Sequence, residues 1–171
     1  PTGKLRFEIA DDAAKLLSRD GETLAEVLDH PALFKAYPQL GLVPVRFSSS
    51  LGDGIAGEFR PPDGVIGWKP SRARIGVSRS DESVLSVLLH EVQHAIQSIE
   101  GDYRGDTKTW WANPLEAEAR NVQARAALTR SQRRQSEPSS TEDVPREMLA
   151  KNERDMTDEA IAASEQSAKD A

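Results

Sequence analysis

The chain has 171 residues, a length that predicts one domain with a tail, or at most two very small domains. Its net charge is -6 at pH 7, and 29% of its residues are charged. The acidic balance gives no electrostatic reason to expect nucleic acid as a partner, and no run approaches the roughly 20 apolar residues of a transmembrane helix. Cysteine is absent, so disulfides and thiolate ligands are excluded and any metal would need His, Asp or Glu ligands.

Short elements are predicted in the first quarter of the chain, before Pro38 and Gly41. Apolar and polar residues alternate at the N-terminus, and the later segments carry helix-starting and helix-ending residues. The predicted elements are a strand over 4–9 and helical turns over 13–17, 23–28 and 32–37.

Between residues 42 and 79, short runs rich in β-branched residues alternate with Gly, Pro, Asp and Ser. This pattern predicts an antiparallel sheet joined by tight turns. Because Pro44 has no N–H for the strand ladder, it predicts an edge position or a bulge in the first strand. The predicted strands span 42–47, 55–60, 65–69 and 73–78.

Two helices are predicted after the sheet. Apolar residues cover most sides of the segment from Val84 to Ile99, which indicates a helix buried in the centre of the domain. Gly101 is a suitable stop for it. Asn113 as cap and Pro114 in the first turn then open a second helix, which we expect to run to about Arg133.

Composition predicts where the folded part ends. After Ser136 the chain is rich in Ser, Glu, Asp, Lys and Ala, and aromatic residues are absent from position 112 onward. We therefore expect an α+β domain over 1–136, with a small antiparallel sheet packed on the buried helix. Residues 137–171 are expected to form a disordered or loosely helical tail.

The buried helix contains the sequence His90-Glu91-Val92-Gln93-His94. Histidines at i and i+4 lie one turn apart on one face of a helix, so both imidazoles can reach a single zinc ion. Glu91 is placed to take a proton from a zinc-bound water and to pass it to a leaving amine. This is the H-E-x-x-H pattern of zinc metallopeptidases. The alternative is a surface helix with solvated histidines, which the apolar flanks disfavour.

A catalytic zinc site needs a third protein ligand. The remaining histidine, His30, precedes a proline at a helix end and is interpreted as structural or solvated. Glu116 and Glu118 lie on the following helix, which can return across the first. Glutamate-type zinc peptidases take their third ligand from such a helix, and their motif often has Glu followed by Ala. We favour Glu118, with Glu116 as the alternative; both could instead solubilise a helix N-terminus.

Several separated blocks together resemble a known family. They are GKLRFEI, LDHPALFKAYP, LLHEVQHAIQSIEG and EAEARNVQAR, in that order over about residues 3–145. The chain thus resembles the zincin-like "large polyvalent protein-associated" domains of phages and mobile elements, which occur within long multidomain proteins. The resemblance implies a glutamate-zincin fold, membership of a longer polyprotein, and a place in the bacterial cytoplasm or delivery with a phage or mobile element. It also implies His90, Glu91, His94 and one glutamate of EAEAR at the site.

Three further residues are candidates for supporting roles. Arg120 would stabilise an oxyanion or orient a ligand carboxylate; the alternative is an i,i+4 ion pair with Glu116. Tyr103 would donate to the oxyanion, or simply pack. Glu100 would support the metal ligands, or be solvated or paired elsewhere. Trp110 and Trp111 are interpreted as half-buried packing residues, one of which could line a substrate pocket.

The sequence therefore predicts a zinc-dependent metallopeptidase that acts on a protein or peptide substrate. Two alternatives stay open. One is a zinc-binding module without catalysis, in which the metal stabilises the fold or the domain only recognises a partner. The other is a structural phage protein whose site holds no metal. Both leave Glu91 without a reason to accompany the histidine pair.

Overall fold

The computed structural model describes residues 14–49, 51–52, 54–62, 69–79, 84–101, 103 and 113–145. These residues form a mixed α+β fold with small sheets. Its elements in chain order are β1 (Lys15–Leu16), α1 (Leu24–Val27), β2 (Leu28–Asp29), α2 (Pro31–Ala36), β3 (Val45–Ser48), β4 (Gly57–Arg60), β5 (Arg74–Ser78), α3 (Val84–Glu100), α4 (Pro114–Ala126) and α5 (Arg130–Gln135). Short 3-10 turns cover Pro38–Leu42, Pro70–Arg72 and Pro138–Thr141.

In the described residues, the main sheet contains three strands in the order β3-β5-β4. Val45 of β3 and Phe59 of β4 both lie opposite Ile75 of β5, which aligns three buried side chains across the inner face. β4 runs antiparallel to β5, as predicted, but β3 runs parallel to β5, so the prediction of a wholly antiparallel sheet is wrong. Alternating apolar residues specify which face is buried and carry no information on strand direction. Pro44 directly precedes β3 and forms an isolated antiparallel bridge with Thr23, and β3 is at one end of the strand order in the described residues.

α3 is the central helix of the fold, as predicted. It packs against β4 and β5 on one side and against α4 on the other. Its apolar residues are therefore buried on several faces, each fully buried Val or Leu contributing about 1.5–3 kcal/mol. They include Val84, Val87, Leu88, Leu89, Val92, Ala95 and Ile96. Gly101 ends the helix with φ +83°, a left-handed conformation that favours glycine. In the part of the chain that the structure describes, no helix has the length and apolarity to cross a bilayer.

Two helix predictions need correction. Residues 15–16, inside the predicted 13–17 helix, form β1 and pair with β2 in a two-stranded sheet. The predicted helix from Asn113 to about Arg133 is two helices, because α4 ends at Ala126 and α5 begins at Arg130. Thr129 starts α5 with a capping box, in which its side chain and that of Gln132 each bind the other's backbone N–H. This local signal ends one helix and starts another.

Part of the predicted tail packs on the domain. Asn121 on α4 donates to the carbonyl of Pro138 (3.0 Å) and accepts from the hydroxyl of Thr141 (2.6 Å). Val144, also in the predicted tail, is buried. The folded unit thus continues beyond residue 136 to about residue 145. The predictions for 4–9, 65–68, Trp110, Trp111 and 146–171 lie outside the described residues.

Candidate metal centre

α3 supplies two imidazoles that face one another. His90 and His94 are one helical turn apart, and their Nε2 atoms lie 3.1 Å from each other. The rings are nearly perpendicular, with centroids 4.8 Å apart. His94 is buried, while His90 is partly exposed at the edge of a cleft. The spacing on the helix therefore produces the convergence of the two nitrogens that the sequence predicted.

α4 brings a carboxylate to the same point. Asn113 caps this helix by accepting from the N–H of Leu115 (2.9 Å), and Pro114 occupies its first turn. Glu116 therefore lies in the first turn, with Oε1 3.3 Å from Nε2 of His94. Its Oε2 lies 3.7 Å from Nε2 of His90. The order of preference between the two glutamates is thus reversed, because Glu116 faces the histidines.

Glu118 has a different environment. Its Oε2 accepts a hydrogen bond from Nε2 of Gln97 at 2.8 Å. Residues two apart on a helix point about 200° away from one another, so Glu116 and Glu118 cannot present their carboxylates to the same point without distortion. The carboxylate of Glu118 therefore meets the amide of Gln97, and Glu118 is not part of the group formed by His90, His94 and Glu116.

The donor set fits a tetrahedral zinc ion. His90, His94 and Glu116 form the metal-ligating group found in the described residues, with one donor atom from each within 4.8 Å of the others. In a tetrahedral site with zinc–ligand bonds of about 2.0–2.1 Å, the ligand atoms lie about 3.3–3.4 Å apart. The Nε2 atoms of the two histidines lie 3.1 Å apart, close to this value. The carboxylate of Glu116 meets them through different oxygens, Oε1 at 3.3 Å from His94 and Oε2 at 3.7 Å from His90. Two imidazoles and one carboxylate also match the ligand types zinc accepts.

Glu116 and His94 each change the pKa of the other. Burial alone would raise the pKa of Glu116, but hydrogen bonds from His90 and His94 outweigh burial and hold its pKa well below the usual range. Burial likewise opposes a charge on His94, yet the Glu116 carboxylate and Gln97 outweigh it and raise the pKa of His94. A carboxylate held ionised between two imidazoles is a favourable arrangement for a cation.

Glu91 points into the same cleft and is 5% exposed. Burial raises its pKa from 4.5 to about 7, His94 opposes this shift, and the nearby carboxylates of Glu116 and Glu58 add to it. Glu91 is thus a carboxyl group that water hardly reaches. It neighbours the three potential ligands without belonging to their group.

Gly57 explains how Glu91 is enclosed. A Cβ atom on Gly57 would lie 2.5 Å from Oε1 of Glu91 and 2.7 Å from Cγ1 of Val87. Neither distance leaves room for a methyl group. β4 therefore passes directly over this part of α3, and only glycine permits so close an approach.

The site opens into a cleft of about 770 Å³ between β4, α3 and α4. Tyr103 lies in its wall, with its ring centroid 5.2 Å from that of His94 and 5.3 Å from that of Phe59. Tyr103 therefore packs against the candidate site, which is one of the two roles that the sequence analysis considered for it.

Arg120 also lines the cleft, and its guanidinium makes two hydrogen bonds to Asp143, at 2.7 and 3.1 Å. That pairing differs from the predicted ion pair with Glu116.

A second depression, of about 520 Å³, lies on the outer face of the main sheet. Arg46, Arg60 and Arg74 line it, together with Glu58, and histidine is absent from its lining. It therefore lacks the donor set found in the cleft beside α3.

Two other candidates lie away from the centre. Glu100 accepts a hydrogen bond of 2.6 Å from the hydroxyl of Tyr37, so it is paired elsewhere. His30 is buried and caps α2, its Nδ1 accepting from the N–H of Leu33 at 3.2 Å. The structural interpretation of His30 therefore agrees with its contacts.

Two residues of the candidate site, Gln97 and Gly57, were not predicted from the sequence. Gln97 follows His94 by three residues, so the two side chains lie on the same face of the helix. This spacing could have indicated Gln97 as a neighbour of the candidate ligand. Gly57 had no comparable signal, because a glycine in a strand only suggests that another group approaches closely.

Comparison with protein-family models, with curated proteins and with solved structures gives no match.

Proposed function

We propose that this domain is a zinc-dependent peptidase of the glutamate-zincin type that cleaves protein or peptide substrates. The observation that carries the proposal is the convergence of His90, His94 and Glu116 beside the buried carboxyl of Glu91. Metal-assisted hydrolysis requires three protein ligands for the metal and a nearby carboxyl group that is not itself a ligand, and this arrangement has both. The resemblance to the phage and mobile-element zincin-like domains supports the same conclusion.

His90, His94 and Glu116 would hold the ion. Bound zinc supplies two effects, a lower pKa of a coordinated water and a more polarised substrate carbonyl. Glu91 would accept the proton of the attacking water and deliver it to the leaving amine. Gly57 of β4 lies close to the Glu91 carboxyl, which limits the space open to this side chain.

β4 offers a surface for the substrate backbone. Among the residues that the structure describes, it is at one end of the strand order, and it forms one side of the cleft that contains the candidate ligands. Gly54, Ile55 and Ala56, just before the strand, line the same cleft. An extended peptide can bind such an edge through main-chain hydrogen bonds, which depend little on its sequence. A peptide substrate therefore suits the shape of the site.

Metal content tests the ligand set. We expect about one zinc per chain in the purified wild-type protein, measured by elemental analysis after removal of excess metal. Glu116→Gln should lose most of this zinc, because it removes a ligand. Glu118→Gln is the matched control and should retain more zinc than Glu116→Gln, because the carboxylate of Glu118 accepts a hydrogen bond from Gln97 and does not face the histidines. Zinc lost only from the Glu118 variant would overturn the assignment of Glu116.

Cleavage tests the reaction. We expect wild-type protein to cut members of a proteome-derived peptide library, with the products read by mass spectrometry. Glu91→Gln should keep its zinc and lose cleavage, because the amide cannot accept the proton. Cleavage that survives this change would remove Glu91 from the mechanism. A wild-type protein that binds zinc tightly and cuts no peptide would favour the non-catalytic zinc-binding module.

A further inference from the structure

Gln97 joins the two helices that carry the candidate ligands. It lies one turn after His94 on α3, and its side chain is fully buried. Its Oε1 is 2.9 Å from Nδ1 of His94. Its Nε2 donates to the carbonyl of Leu115 at 2.9 Å and to Oε2 of Glu118 at 2.8 Å. One amide thus contacts a histidine on α3 and two positions on α4.

These contacts fix the orientation of the amide. A backbone carbonyl only accepts hydrogen bonds, so the group that faces Leu115 must be the NH2 of Gln97. Its oxygen must then face His94, and Nδ1 of His94 must carry a hydrogen to complete that bond. The Nε2 atom of His94, which faces His90 and Glu116, is left with its lone pair when the ring is neutral. Only this tautomer can ligate a metal through Nε2.

The same amide holds the start of α4. Leu115 directly precedes Glu116, and Glu118 lies two residues beyond it. Two hydrogen bonds from one buried donor therefore constrain the backbone before Glu116 and the side chain after it. This constraint turns Glu118 towards Gln97 and leaves Glu116 to face the histidines.

We propose that Gln97 is a positioning residue for the metal centre, which sets the tautomer of His94 and selects Glu116 over Glu118 as the third ligand. The inference rests on the proposed function, since it concerns the same metal site. Hydrogen-bond partners of metal-ligating histidines typically change metal affinity 10–100-fold, roughly, when they are removed.

The first test is the zinc affinity of the full chain, measured by competition with a chromophoric chelator. Gln97→Leu keeps the approximate volume and removes all three hydrogen bonds, so zinc affinity should fall about 10–100-fold. Gln93→Leu is the matched control, because Gln93 is also buried on α3, one turn earlier. It should bind zinc more tightly than the Gln97 variant. Equal affinity of wild type and Gln97→Leu would overturn the inference.

The second test exchanges the donor and acceptor between residues 97 and 118. Recovery in the double variant would show that the single variant lost zinc affinity through this hydrogen bond and not through misfolding. Gln97→Glu still offers His94 an acceptor, but it places a carboxylate against Glu118 and the carbonyl of Leu115, so zinc affinity should fall. Adding Glu118→Gln returns an NH2 donor to the new carboxylate and should restore most of the affinity. A double variant as weak as the single one would show that hydrogen bonding between these two side chains does not position the site.

The third test reads the tautomer without metal. The Nδ1–H of His94 should give a slowly exchanging proton resonance in NMR spectra of the chelator-treated protein, and this signal should disappear in Gln97→Leu. The two proposals can therefore fail separately. A wild type that binds no zinc but shows the resonance contradicts the metal site alone. A wild type that binds zinc but shows no such resonance contradicts the role of Gln97.

Discussion

Replacing Gly57 with alanine should destabilise the protein and displace Glu91. The new methyl carbon would lie 2.5 Å from Oε1 of Glu91 and 2.7 Å from Cγ1 of Val87. Carbon atoms pack at about 3.5–4.0 Å, so β4 or the two side chains must move by roughly 1 Å. Such overpacking typically costs about 1–3 kcal/mol. The lower entropy of the unfolded alanine chain offsets about 0.4–1 kcal/mol of that cost.

The net free energy of unfolding should therefore fall by about 1–2 kcal/mol. Since each kcal/mol shifts the Tm of a domain of this size by about 2–4 °C, the Tm should drop by about 2–8 °C. Activity should suffer more than stability. If Glu91 is the general base, as proposed, a displacement of about 1 Å can lower kcat on the order of 100-fold.

The assay combines thermal unfolding followed by circular dichroism with peptide cleavage well below the Tm. Gly41→Ala is the control, because its added Cβ would meet Ala25 at 3.4 Å and Phe34 at 3.7 Å, which are ordinary contacts. It should change neither Tm nor cleavage appreciably. If Gly57→Ala were as stable and as active as wild type, the close approach of β4 to Glu91 would be refuted.

Three further changes have expected outcomes. Hydrogen bonds from Arg120 hold the pKa of Asp143 below its ordinary value of 3.8, so this pair stabilises the fold above about pH 4 and its contribution is lost as the pH falls further. Asp143→Asn should therefore lower the free energy of unfolding at pH 7 by at most about 1 kcal/mol, because the pair is partly exposed, and its Tm should match that of wild type near pH 2. Asn113→Ala removes the cap of α4 and should cost about 1 kcal/mol in urea unfolding, whereas Asn113→Asp should retain most of that stability. Tyr37→Phe removes the 2.6 Å hydrogen bond to Glu100 and should lower stability by about 1–3 kcal/mol without changing kcat, because this pair lies outside the cleft.

Each of these three predictions would be contradicted by a specific result. A Tm difference for Asp143→Asn that stays constant between pH 7 and pH 2 would show that its charge is not the cause. Equal loss in Asn113→Ala and Asn113→Asp would exclude capping. A fall in kcat for Tyr37→Phe, at a temperature where the variant is fully folded, would connect Glu100 with the site.

The sequence by itself determined the features that depend on neighbouring residues. The period of apolar residues predicted α3 and its central burial, and the i, i+4 spacing predicted that His90 and His94 face one another. Gly101 and Asn113 marked helix ends through their own backbone and capping properties. All of these are local, because a helix places residues three or four apart on one face wherever it occurs.

Tertiary packing decided the rest. The direction of β3 depends on the path of the chain between strands, and β1 exists only because β2 pairs with it. The choice between Glu116 and Glu118 depends on how α4 is rotated against α3, and no spacing within α4 encodes that rotation. Gln97 reaches across to α4 from 18 and 21 residues away in sequence, with hydrogen bonds that form only once the two helices have packed. Contacts between distant parts of the chain therefore arrange a site whose candidate ligands the sequence had already indicated, although Gln97 and Gly57 emerged only from the packing.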